Sequence, residues 1–140
     1  MVALAIVGIL AAIAYPTYQS QIQRSRRADA IAALTAVMQA QERYRGNATA
    51  YASTLAQLGL DISQITQHYS VSLTGIAASS GTGTTFDTGY VATATPTPGG
   101  RQATDTQCKT FTVTLKGAIP RYTATGDPNG TDTKAICWPN

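Results

Sequence analysis

Residues 1–45 read MVALAIVGILAAIAYPTYQSQIQRSRRADAIAALTAVMQAQERYR, and the fold turns on them. From Met1 to Ala14 every residue is apolar or glycine, and the first charge is Arg24. As a helix that run spans about 21 Å, short of the roughly 20 residues that cross a bilayer core. Gly8 and Pro16 are its helix-weakening residues. A proline removes a backbone donor and clashes with the carbonyl four residues back, so a continuous helix kinked between Ala12 and Pro16 is expected. The alternative is a helix that begins at Pro16, using it in the first turn. Ala12-Ile13-Ala14 mimics a leader-cleavage site, but no Lys or Arg precedes the run and the chain flows straight into more helix, so cleavage there is not expected.

Past Pro16 the pattern turns one-sided. Ile31, Leu34, Val37, Met38, Gln41 and Tyr44 recur at spacings of three and four, with Arg24, Arg26, Arg27, Asp29, Gln39, Glu42 and Arg43 mostly on the other arcs. One stripe of this segment is ready to bury against a sheet. Gly46-Asn47 predicts a left-handed stop, and Arg43 and Arg45 suit the negative end of the helix dipole.

Downstream lies a small β-rich cap. Residues 46–68 read as a connection with one or two helical turns around Leu55, Leu58, Leu60, Ile62 and Ile65. Three runs then alternate apolar and hydroxyl residues: Tyr69 to Thr74, Tyr90 to Thr95, and Thr110 to Leu115. Each predicts a strand of an antiparallel sheet covered on one side. Pro96 and Pro98 end the second strand, since proline cannot donate to a ladder. The stretches IAASSGTGTTFDTG, PTPGGRQATDTQ and GAIPRYTATGDPNGTDTKAI read as loops. The last is too long to hang unsupported in a compact domain. Cys108 and Cys137 bracket it without zinc or redox spacing, so a mutual disulfide is their simplest use, and it implies an oxidising compartment.

With 140 residues the chain holds one domain, and only 12 % are charged, which suits a cell-envelope protein better than a cytosolic enzyme. No pair of acids shares a helix face, GTGTT at 81–85 lacks the lysine of a phosphate cradle, and His68 has no identifiable catalytic neighbour. Asp127, Asn129 and Asp132 lack the terminal bidentate acid of a calcium loop. Asn47-Ala48-Thr49 and Asn129-Gly130-Thr131 fit the glycosylation acceptor pattern, which is common by chance. No cofactor, metal or catalytic residue is expected, and an enzyme is the weakest reading.

The segment LAIVGILAAIAYPTYQ at 4–19 resembles the N-terminal helix of type IV pilins: the apolar run, Gly8, the proline eight residues later, and Tyr18-Gln19. GYVATATP, the Cys108–Leu115 segment and the ending Cys137-Trp138 are similar to the type IVa subgroup of minor and DNA-uptake pilins. Aligned on Gly8 and Pro16, the resemblance places the mature phenylalanine with its methylated amine, the glutamate after it, and a basic leader removed by a prepilin peptidase upstream of Met1. It implies an α+β pilin fold: a long N-terminal helix, kinked near Pro16, on an antiparallel sheet of three to four strands with a disulfide-bounded C-terminal loop. Residues 1–27 would be the protruding half that serves membrane and filament core, and 28–140 the globular head.

A helix apolar on all sides needs apolar surroundings, which lipid or neighbouring copies supply. Repeated through a contact that never closes, such packing makes a filament. The expected core residues are Leu4, Ile6, Val7, Ile9, Leu10 and Ile13, with Gly8 and Pro16 letting the segment unwind on assembly. The first functional reading is thus a structural subunit of a type IV pilus supporting adhesion, twitching motility or DNA uptake. Its partners would be other pilin subunits, the inner membrane before assembly, the pilus assembly machinery and DNA, and its final place an extracellular fimbrium. A second reading is a DNA-binding minor pilin, for which Lys109, Lys116 and Arg121 are the candidate contacts, within a C-terminal excess of cations that includes Arg101 and Lys134. A third is a pseudopilin of a type II secretion system.

Overall fold

A computed structural model describes residues 2–79, 81–126 and 130–138, with side chains described from Tyr18 onward. Helix α1 runs without interruption from Val2 to Arg45, through both Gly8 and Pro16. A start at Pro16 is therefore set aside. From Ala30 onward α1 lays one stripe on the sheet: Ala30, Ala33, Leu34, Val37, Ala40 and Gln41 are buried, with Ile31 and Met38 half-covered at its margins. Alanine alternating with Leu34 and Val37 lets the helix sit close to the strands. Among the residues with described side chains, no helix is long and apolar enough to cross a membrane.

The helix does not end as expected. Gly46 is not left-handed. The last turn is closed instead by Gly46 N–H to Glu42 O, Asn47 N–H to Tyr44 O and the Asn47 side-chain amide to Arg43 O. Arg45 donates to Ala48 O at 2.8 Å and lies over the Tyr51 ring. Two backbone amides and one side-chain amide thus satisfy the terminal carbonyls without a left-handed residue.

The sheet has four antiparallel strands in the order β1-β2-β3-β4: β1 Tyr69–Ala77, β2 Thr84–Pro96, β3 Thr110–Lys116 and β4 Ile119–Thr125. Three correspond to the alternating runs, and β2 stops at Pro96 as expected. Two stretches read as loop are strand. The start of β2 pairs with the end of β1 through Thr84 and Thr85, across a register shift at Gly75/Ile76, and the shift breaks the alternation. β4 is masked in the sequence by Pro120, which an edge strand tolerates. Gly117, at φ 63°, makes the tight turn between β3 and β4. A Cβ on Gly89 would collide with the Leu115 carbonyl oxygen, so β2 and β3 can approach there only with glycine.

The core lies between α1 and the inner sheet face. Tyr69, Tyr90, Ala92, Ala94, Phe111, Val113 and Ala124 are buried, with Phe111 edge-on to both Tyr69 and Trp138. The C-terminal stretch is tied down by the disulfide Cys108–Cys137, by the short helix α2 (Lys134–Cys137), and by the Trp138 indole donating to Thr123 O at 3.0 Å. Asp127 and Asn129 lie outside the described residues.

One buried polar residue pins the connection after α1. Gln41, fully buried, donates to Ala52 O at 2.9 Å and accepts from Ala52 N–H at 2.8 Å. Gln41→Leu fills the volume but leaves both backbone groups of Ala52 unpaired, so the variant should lose about 2 kcal/mol of stability in denaturant titration.

Candidate nucleic-acid interface

The outer sheet face is a field of hydroxyls. Register places Ser72, Thr93, Thr112 and Thr123 in one row across all four strands, and Thr74, Val91, Thr114 and Arg121 in the next. Ser70 shares a hydrogen bond of 3.1 Å with the Thr95 hydroxyl, and the Thr112 hydroxyl reaches that of Thr93 at 3.5 Å. No carboxylate falls in these rows. Such a face offers donors and acceptors to a phosphate backbone without repelling it.

Cations border it at the β3–β4 hairpin. Lys116 is opposite Ile119 and Arg121 is opposite Thr114, which puts the two on one face as diagonal neighbours about 7–8 Å apart. Both are exposed. Lys109 is separated from them: just before β3 and seven residues from Lys116, it stands about 24 Å away, at the other end of the sheet. The expected trio is a pair plus an outlier, because strand length, invisible in a charge count, sets the spacing.

Lys134 opens the short C-terminal helix Lys134–Cys137, which is anchored at the other end of β4, where Asp132 bridges Thr125. Asp132 accepts from Ala124 N–H at 3.2 Å and Lys134 N–H at 3.0 Å. These backbone bonds, with the charges of Lys134 and Arg121, hold its carboxyl below the ordinary value of 3.8. It stays ionised, and its oxygen serves the chain turn.

At the other end of the head, the arginines of α1 have different fates. Arg27 grips Asp105 with two bonds, Nε to Oδ2 at 2.7 Å and Nη2 to Oδ1 at 2.8 Å. Asp105 also accepts from Gln102 Nε2 and from the Gln107 and Cys108 amides. Burial pushes the Asp105 carboxyl up, but Arg27 and the two amides outweigh it, and the pKa falls below 3.8. Nothing in the sequence pairs residues 78 positions apart. Arg101, in a 3-10 turn at Arg101–Thr104, comes beside Arg26 on the helix side of the head. Leu4, Ile6, Val7, Ile9, Leu10 and Ile13 all lie in α1, but their side chains are outside the described residues.

Residues 16–112, more than two thirds of the chain, match the family model described as type IV minor pilin ComP, DNA uptake sequence receptor. The chain belongs to this family. The resemblance to minor and DNA-uptake pilins is thereby established, and the long helix on a four-stranded antiparallel sheet with its disulfide is the pilin fold. No curated protein matches the chain. The span matched to the ComP family takes in Arg24, Arg26, Arg27, Arg101, Asp105, Cys108 and Lys109, while Lys116, Arg121 and Cys137 follow it.

Proposed function

We propose that this chain is a minor pilin displayed on a type IV pilus at the cell surface, where its head holds DNA during uptake. The observation that carries the reading is the match to a family described as a DNA uptake sequence receptor. The head supports it with two carboxylate-free rows across the outer sheet face, mostly hydroxyls, bordered by Lys116 and Arg121. Phosphate contacts from such cations supply affinity and orientation, and hydroxyls add bonds to the same backbone. Residues 1–27 serve as membrane anchor and then as filament core, packing through Leu4, Ile6, Val7, Ile9, Leu10 and Ile13 against other pilins, with Gly8 and Pro16 as the point of unwinding.

The receptor reading takes precedence over that of a bulk structural subunit, and deletion of the gene separates the two. Pili should remain visible by electron microscopy while uptake of labelled DNA falls by an order of magnitude or more. Loss of all fibres would instead mark a major subunit.

A further inference from the structure

We propose that the cleft between Arg26 and Arg101 is a binding site for the phosphate group of an anionic phospholipid, used while the subunit resides in a membrane. The cleft holds about 310 Å³ and is lined by Gln19, Ile22, Gln23, Arg26, Arg101 and Thr104. Two arginines and two glutamines line it, and no acidic residue does. Among the described residues neither arginine forms an ion pair; that of Arg27 is with Asp105. Asp29, the nearest acid along the helix, lines a different hollow beside Ser63–His68. Guanidinium forks match phosphate oxygens bidentately, which favours a phosphate ligand over a diffuse counterion.

Its position along α1 identifies the source of the phosphate. The apolar run ends at Ala14, followed by Tyr15 and by Tyr18, which is 67 % exposed. Tyrosines at the end of an apolar helix sit at the headgroup level. Arg26 is eight residues beyond Tyr18, about 12 Å along the axis, and its side chain, which leans toward the helix N-terminus, reaches roughly half-way back. With the apolar run in lipid, the guanidinium meets the headgroup layer, which is about 5–8 Å deep. Arg101 comes from a distant turn to complete the pair, so the head itself, and not the helix alone, rests on the membrane surface.

The test equilibrates the full chain between phosphatidylcholine vesicles and vesicles of equal parts phosphatidylcholine and phosphatidylglycerol at low salt. At roughly fivefold per basic residue near an anionic surface, the wild type should favour the anionic vesicles by about 25-fold through this pair. R26Q/R101Q should lose that preference, and R26K/R101K, checked by circular dichroism alongside it, should keep a substantial part. K116Q/R121Q should match the wild type. The proposal is overturned if R26Q/R101Q keeps its preference, if R24Q alone causes an equal loss, or if R26Q/R101Q weakens binding to duplex DNA while lipid preference is unchanged. It does not depend on the DNA-receptor reading, whose failure would leave the vesicle result intact.

Discussion

Arg27→Ala should destabilise the head by about 3–5 kcal/mol, the range seen when one partner is removed from a buried ion pair. The Asp105 side chain is 1 % exposed and that of Arg27 15 %. Without Arg27 the carboxylate keeps its bonds to Gln102, Gln107 and Cys108 but loses its only countercharge among the described residues, in a place water barely reaches. The effect should depend on pH. Because the folded Asp105 carboxyl lies below its ordinary value, its contribution is present above about pH 4 and is lost as the pH falls through the folded-state value. Denaturant titrations of wild type and variant should therefore differ most near neutral pH and converge in acid. A gap that stays constant down to about pH 2 would show that Arg27 acts through packing alone.

Removing the disulfide, by Cys108→Ser with Cys137→Ser, should cost about 3.6 kcal/mol from the chain entropy of a loop of about 30 residues. The loss should be local before it is global. Thr133 N–H bonds to Ala124 O, and Trp138 packs edge-on to Phe111 and tilted against Tyr122, so the tail holds β4 against the sheet. β4 pairs only with β3 on its other side. Hydrogen exchange should accelerate first in β4 and α2, while β1 and β2 keep their protection. Uniform acceleration through the whole sheet would contradict this order.

These two interactions differ in how far the residues announce them. The cysteine pair is legible because two lone cysteines bracket an otherwise unsupported stretch. Arg27 and Asp105 are paired only by folding, since each alone reads as a solvated charge. The helix, its buried stripe and three strands follow from period, which local residues carry. β4 and the first part of β2 depend on tertiary pairing: an edge position that accepts Pro120, and a register shift at Gly75 that masks alternation. The stop at Arg45 is legible but its chemistry is not, because the Gly46 and Asn47 amides and the Asn47 side chain close the turn without a left-handed Gly46. For the candidate nucleic-acid surface the cation types are evident, but distance is not: the length of β3 separates Lys109 from Lys116 and Arg121.

The salt dependence of DNA binding tests the central claim most directly. For the full chain and duplex DNA, log K plotted against log salt should fall steeply. K116Q/R121Q should flatten the slope by about 1.8, since each phosphate left without its cation removes about 0.9, whereas Lys109→Gln should change it little. No binding at low salt, or a slope unaltered in K116Q/R121Q, would contradict a head that receives DNA on its hydroxyl face.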